Sequence, residues 1–466
     1  MQFTSVFFLF FLAVVFALYW ALPLRFRWGA ALAASAVFYL PFGAGAFALL
    51  FACCLLCWGG GLFLARRLHR RGPLFFCLFL CLLPLFLFKY TSVPARFALI
   101  APVGISFYTF KMISYLVEVS RGKISARRHL GHVALYLTFF TEIASGPIQR
   151  PGDLLPQIET PCTFQYQRAL SGAQLILWGL FKKIVLADNI AYYVDYGFAR
   201  PDVVMGASLI LAALMYAIQI YCDFSGYSDI AIGCMGLLGY QVPENFKSPY
   251  FSLSVKEFWS RWHISLSQFL RDYVYIPLGG SRCSKGRQAV NLMITFLVSG
   301  IWHGAGATFL VWGALHGAYR VFGMFTARLR AGLWRVLHLS EEGLLARVCK
   351  TLVTFLLICA AWVVFRAGSL SQAVHLFARM PDSFSLSLQT FKNAAVMLTL
   401  NTAMVLRLSV FTAVLGAVDL CSKDSGFSPW LAARKPIFQT VFCYFLLFSI
   451  LFYGITGTGS FIYFQF

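Results

Sequence analysis

The sequence predicts an all-helical protein that crosses a membrane several times. Of its 466 residues, 60% are hydrophobic and only 12% are charged, whereas a soluble domain carries about 25% charged residues. Apolar runs long enough to span a bilayer recur along the chain, beginning with residues 3–22. That first run has no basic residue before it and no small-residue cleavage site after it, so we expect a retained span. We predict one membrane domain over residues 1–466.

The basic residues predict how the chain is oriented. They give a net charge of +21 and gather in loops between apolar runs, as in cytoplasmic loops. Counting spans places three clusters on the cytoplasmic side and both termini outside. No basic stripe lies on a folded soluble face, so no nucleic acid is expected. The counted runs are residues 3–22, 28–40, 45–64, 74–88, 97–117, 351–365, 391–418 and 437–455, and the clusters lie at 66–71, 121–128 and 328–350.

The middle of the chain does not follow this counting. Residues 138–161 and 223–287 are too polar for simple spans and too apolar for loops. Irregular backbone at membrane depth is tolerated where protein or a cavity shields it. We therefore expect the functional site in the middle of the chain.

The thirteen cysteines predict neither a disulfide framework nor a metal site. Most lie inside apolar runs, where a thiol behaves as a small hydrophobe. Cys53 with Cys57 and Cys77 with Cys81 have a helical spacing that a metal could use, but no histidine or carboxylate lies near them. We predict no metal ion.

Residues 256–273 predict an amphipathic helix in the membrane interface. Phe258, Trp262, Leu266, Phe269 and Tyr273 form one apolar stripe, and His263 falls on its border. Basic residues on the other face, including Arg261 and Arg271, would attract a polyanionic cytosolic donor such as a nucleotide thioester. The alternative is a plain lipid-surface helix with a histidine at its boundary.

His303 lies in the motif SGIWHGAG, between two apolar stretches. Its neighbouring glycines permit a helix break or close backbone approach, and an imidazole can accept a proton near neutral pH. His303 is therefore a candidate general base; the alternative is a core histidine bonded to a backbone carbonyl. His316, thirteen residues later, is expected to turn away from His303 and to be structural.

Asp223 and Asp229 follow a long apolar run. They could form a proton or ion pathway, or Asp223 or Ser225 could cap the helix that follows. Ser225 lacks the G-x-S-x-G context of a hydrolase nucleophile. A transporter that uses Asp223, Asp229 and Glu142 is an alternative function, although the two related halves typical of transporters are absent from the sequence.

The sequence contains five ordered motifs: YCDFSGYSDIAIG at 221–233, NFKSPYF at 245–251, EFWSRWHISLS at 257–267, LRDYVYIPLGG at 270–280 and SGIWHGA at 299–305. Together these motifs resemble the membrane-bound O-acyltransferase family, in particular its alginate- and peptidoglycan-acetylating branch. Shorter stretches at 145–148 and 461–466 fit the same branch. The D-alanyl-transferring branch is the alternative, because it shares residues 145–148.

The resemblance implies a ring of helices around a thin central tunnel, with re-entrant or interfacial helices and a core at about residues 90–366. It implies that His303 is the family's invariant histidine and His263 its second one. Acetyl-CoA is implied as the donor substrate, near Arg261, Arg271 and Trp302, with no permanently bound cofactor. It also implies a polysaccharide acceptor and a separate extracytoplasmic partner of the esterase-like SGNH type.

Overall fold

The computed structural model describes residues 2–92, 102–143, 146–160, 162–204, 206–336, 340–382, 385 and 387–455. Within these ranges every regular element is a helix, and seven helices are long and apolar enough to cross a membrane. The prediction of an all-helical polytopic membrane protein is confirmed. The seven are Ala44–Ala65, Arg71–Tyr90, Tyr166–Ala199, Ala207–Leu237, Leu344–Arg366, Thr402–Ser422 and Pro436–Tyr453.

The helices group into two compact units. The single membrane domain and the central tunnel expected from the sequence stay predictions. The first unit comprises Met1–Leu180 and Tyr227–Glu244. Its described helices are α1 (Val6–Ala21), α2 (Arg27–Tyr39), α3 (Ala44–Ala65), α4 (Arg71–Tyr90), α5 (Ile105–Ser120), α6 (Leu130–Thr138), α7 (Pro151–Glu159) and α8 (Tyr166–Leu180).

The second unit comprises Phe181–Gly226 and Asn245–Phe466. It begins with a π-helical turn, Phe181–Ala187, and a second such turn covers Arg271–Tyr275. Its described helices are α9 (Asp188–Ala199), α10 (Ala207–Leu237, which ends in the first unit), α11 (Val255–Arg261), α12 (Ile264–Leu270), α13 (Lys285–His303), α14 (Ala307–Phe325), α15 (Ala327–Val336), α16 (Leu344–Arg366), α17 (Leu370–Arg379), α18 (Leu388–Met397), α19 (Thr402–Ser422), α20 (Phe427–Ala432) and α21 (Pro436–Tyr453).

The stretch 138–161 was expected to be neither a simple span nor a loop. Its described residues 139–143 and 146–150 lie outside any helix, whereas residues 151–159 form α7. Helix α6 ends at Thr138, and α7 begins at Pro151. Between them, the buried Glu142 accepts hydrogen bonds from Lys111 at 2.5 Å and from Gln149. A buried carboxylate is stable only when it is paired and hydrogen-bonded, and this set of contacts fixes the irregular chain.

Three predicted spans differ from the helices observed. The run 391–418 was expected to be one span, which is wrong: α18 ends at Met397, and Asn401 caps the N-terminus of α19 by accepting a bond from the Met404 amide at 2.8 Å. The runs 3–22 and 28–40 correspond to the shorter helices α1 and α2, neither of which is among the seven long spans. Residues 93–101 and 456–466, including the C-terminus, lie outside the described residues, and the predicted orientation stays a prediction.

Helices α13 and α14 form a hairpin whose backbones touch. A Cβ atom at Gly300 would fall against the carbonyl of Phe309 and the Cα of Gly313, and one at Gly313 would fall against the carbonyl of Phe296. Small residues allow this approach between helices in membranes. The hairpin therefore depends on glycine at both positions.

We expect Gly300→Ala to destabilise the protein by about 1–3 kcal/mol, because the added methyl group meets backbone, which cannot move aside like a flexible side chain. Gly286→Ala, in the first turn of the same helix, is the matched control. A Cβ at Gly286 meets nothing within 4 Å, so this change should be neutral or stabilising by up to about 1 kcal/mol. Thermal unfolding in detergent measures both, and equal stability of the two variants would contradict the backbone contact.

Candidate active site

His303 is the last residue of α13 and is only 3% exposed. Among the described residues, three aromatic rings pack around its imidazole, with ring centroids at 4.6 Å for Trp302, 4.9 Å for Trp312 and 5.2 Å for Phe365. Helix α13 ends here, and α14 begins at Ala307. The expected helix break in the glycine-rich motif is therefore confirmed, and His303 lies at this break among aromatic rings.

His263 lies at a break that the sequence did not reveal. The expected continuous helix over 256–273 is wrong, because α11 ends at Arg261 and His263 adopts a left-handed conformation (φ 42°) before α12 begins. The backbone groups here have partners in a preceding segment: the Ile264 amide donates to the Asn245 carbonyl at 2.9 Å, and the Lys247 amide to the Arg261 carbonyl at 2.9 Å. These bonds compete with helix continuation.

Four of the five residues in the apolar stripe of that predicted helix are nevertheless buried. Phe258, Trp262, Leu266 and Phe269 are all within the core. His263 is buried with them, at 1% exposure, instead of lying at the boundary of the stripe. Burial lowers the pKa of His263 to about 3, so its imidazole is neutral at physiological pH.

One indole links the two histidines. The Trp302 ring lies 6.2 Å from the His263 ring and 4.6 Å from the His303 ring, centroid to centroid. The structure therefore brings together three of the predicted site residues within the second unit. Their chemical roles stay predictions.

His316 is buried behind the same aromatic cluster. Trp312 packs against His303 at 4.9 Å and against His316 at 4.8 Å, so its ring contacts both imidazoles. The Trp259 Nε1–H donates to His316 Nδ1 at 3.2 Å. This bond favours the structural role expected for His316.

The two arginines proposed for donor binding differ in their surroundings. Arg261 is 15% exposed; it donates to Glu257 at 2.9 Å and to the Lys423 carbonyl, just after α19, at 3.1 Å. Arg271 is 59% exposed and pairs with the adjacent Asp272 at 2.8 Å. Arg261 therefore connects α11 to the residue just after α19, whereas the side chain of Arg271 is accessible to an anion in solution.

Asp223 lies in the middle of α10, so the prediction that Asp223 or Ser225 caps a following helix is wrong. The Lys183 ammonium donates to Asp223 at 2.5 Å and to Asp188 at 2.7 Å, and Lys182 donates to Ser225 at 2.9 Å. Sequence reasoning missed both lysines. The available signal was a pair of cations inside the apolar run 175–187.

The described residues contain no group of three or more histidine, cysteine or acidic side chains placed to hold a metal ion.

The chain belongs to the membrane-bound O-acyltransferase family, whose model matches residues 72–365. The resemblance in the motifs is thus confirmed at the level of the family. Of those stretches, 145–148 is only partly within the described residues and 461–466 is wholly outside them.

Relatives in this family carry three kinds of name. The chain is 38% identical over 283 residues to the probable alginate O-acetylase AlgI of Pseudomonas syringae pv. tomato, covering 60% of this chain and 51% of the relative. It is 31% identical over 403 residues to the peptidoglycan O-acetyltransferase of Helicobacter pylori, covering 79% and 75%. It is 30% identical over 262 residues to the teichoic acid D-alanyltransferase of Bacillus subtilis, covering 52% and 66%. The chain thus spans about half the length of the alginate acetylase of P. syringae.

Proposed function

We propose that the protein is an O-acetyltransferase of a bacterial inner membrane, which passes an acetyl group from cytoplasmic acetyl-CoA to a polysaccharide acceptor outside. The observation that carries this proposal is the position of His303 at the end of α13, where its imidazole is buried among the rings of Trp302, Trp312 and Phe365. Family membership supports acyl transfer, and the relatives named for O-acetylation support an acetyl group and a glycan.

In this mechanism His303 is the general base. Its imidazole takes the proton of an acceptor hydroxyl, and the oxygen attacks the carbonyl carbon of the acetyl thioester. The C–S bond then breaks, and the proton passes from His303 to the departing thiolate sulfur. The product is an acetyl ester, and free CoA is released. The surrounding aromatic rings keep bulk water from the imidazole, which limits hydrolysis of the thioester.

His263 serves the donor side as a neutral group. An imidazole whose pKa is about 3 does not carry a positive charge at neutral pH, so it acts through hydrogen bonding. Trp302, in contact with both imidazole rings, lies between the donor side and the base.

The alternatives are less well supported. The relative named for D-alanyl transfer is matched over 52% of this chain, against 79% for the peptidoglycan relative. A proton-coupled transporter needs carboxylates that change their protonation. Here Asp223 is ion-paired with Lys183, and Glu142 with Lys111.

We expect His303→Ala to lower acetyl transfer to polysaccharide by about 10²–10⁴-fold, the usual contribution of a general base. Membrane abundance and thermal stability should stay near those of the wild type. Two other histidines serve as controls: the exposed His375, paired with Asp202 at 3.0 Å, and the buried His316. His375→Ala should behave as wild type, and His316→Ala should lose stability more than activity. Activity of His303→Ala within a few-fold of wild type would remove the assignment.

We expect Arg271→Gln to raise the apparent KM for acetyl-CoA without changing thermal stability, because an exposed guanidinium attracts the donor's phosphates. Arg261→Gln should lower thermal stability as well, because it breaks the bonds to Glu257 and to the Lys423 carbonyl. Initial rates over a range of acetyl-CoA concentrations, at two salt concentrations, measure the first effect. An unchanged KM in the double variant would exclude electrostatic attraction of the donor.

We also propose an extracytoplasmic partner of the esterase-like SGNH type, which grips the glycan and completes the transfer. The chain offers the histidines for acyl transfer, whereas a bulky polymer has to be held outside the membrane. Both termini are placed outside in this proposal.

The purified chain should hydrolyse acetyl-CoA slowly at most, and addition of the partner together with polysaccharide should give acetylated polymer. Mass spectrometry of the polymer and release of free thiol measure the two products. Efficient acetylation of polymer by the isolated chain would show that the acceptor enters it directly.

A further inference from the structure

Asn245 makes an unusual set of contacts in the second unit. Its buried side-chain oxygen Oδ1 lies 3.2 Å from the Ser265 amide nitrogen, 2.9 Å from Ser265 Oγ and 3.2 Å from His263 Nδ1. All three groups converge on one atom at the start of α12. Asn245 is only 1% exposed, so its oxygen is shielded from bulk water.

The Ser265 contact identifies the amide atom. The oxygen and nitrogen of an asparagine amide are easily exchanged in assignment and must be told apart by their partners. A backbone N–H can only donate, so the atom facing Ser265 has to be the oxygen. An oxygen can only accept, and His263 Nδ1 must therefore carry the hydrogen. In the neutral ring, the lone pair is then on Nε2.

Packing fixes the orientation of the same ring. The Phe224 ring meets the imidazole edge to face at 4.6 Å, and Trp302 lies on another side at 6.2 Å. The charged neighbours on the adjoining elements are already engaged, Asp223 with Lys183 and Arg261 with Glu257. The contacts that the imidazole makes with the Asn245 amide and with these two aromatic rings therefore involve uncharged groups.

We propose that Asn245 is a positioning residue that fixes His263 as the neutral tautomer with its lone pair on Nε2, so that His263 acts as a hydrogen-bond acceptor in acyl transfer. This role rests on the proposed function and deepens it. A carboxylate at position 245 would orient the ring equally well, but it would also stabilise the imidazolium. The uncharged amide selects the tautomer without favouring the charged form.

Two substitutions separate the parts of this role. Asn245→Asp keeps an acceptor for both Ser265 and His263, so the local fold is retained while a negative charge is added. Asn245→Leu removes the acceptor at a similar side-chain volume. Ser265→Ala is the matched control, because it removes the hydroxyl bond to the same oxygen and leaves the bond to His263 in place.

Hydrogen–deuterium exchange at the imidazole C2 position, followed by mass spectrometry, reports the pKa of His263 without requiring activity. Asn245→Asp should raise that pKa by about 1 to 3, and the acid limb of the pH–rate profile for acetyl transfer should move in the same direction. Asn245→Leu should lower acetyl transfer by about 10- to 100-fold, as is typical for loss of a partner that orients a functional histidine. Ser265→Ala should stay within about threefold of wild type.

The proposal is overturned if Asn245→Asp leaves both the exchange of His263 and the pH profile unchanged. It is also overturned if Ser265→Ala loses as much activity as Asn245→Leu, because Asn245 would then act only as a helix cap. Failure of the proposed function looks different: the wild type itself would transfer no acetyl group, while the exchange measurement would still report whether Asn245 controls His263.

Discussion

The backbone contact between Gly300 and Gly313 is the constraint on which the site depends. Because neither residue has a side chain, α13 and α14 approach until the Phe309 carbonyl occupies the space where a side chain at position 300 would lie. That approach brings Trp312 against the imidazole at the end of α13. The position of Trp312 beside His303 is thus a consequence of the close packing of α13 and α14, which small residues allow.

A second constraint is the cost of placing polar groups in so apolar a chain. The protein lowers this cost by pairing its buried charges. Lys183 bonds two carboxylates, and Arg261 bonds both Glu257 and the carbonyl of Lys423. Desolvated charges are tolerable when each is paired and hydrogen-bonded. The two histidines are buried in another way, because a neutral imidazole does not need an ion pair. His263 contacts an amide, and His303 lies among aromatic rings.

These constraints explain which features could be predicted from the sequence. The helical class and the break at His303 follow from local composition, namely long apolar runs and closely spaced glycines. The break at His263 could not be predicted, because its competing partner is Asn245, eighteen residues earlier. The pairing of Asp223 with Lys183 joins residues forty positions apart, and periodicity carries no information about such contacts. The interruption between α18 and α19 did have a local signal in the sequence, namely the capping residue Asn401. The high hydropathy of the run 391–418 nevertheless led to the prediction of one span.

The different surroundings of His263 and His303 support different roles for them in the proposed proton transfer. His263 is held by an uncharged amide, and burial places its pKa at about 3, so holding a proton through the reaction would be costly for it. The proton taken from an acceptor hydroxyl must therefore reside elsewhere until the thiolate leaves. His303, the proposed general base, also contacts Trp302, and it packs against Trp312 and Phe365. In the proposed mechanism His303 holds that proton, and His263 accepts a hydrogen bond.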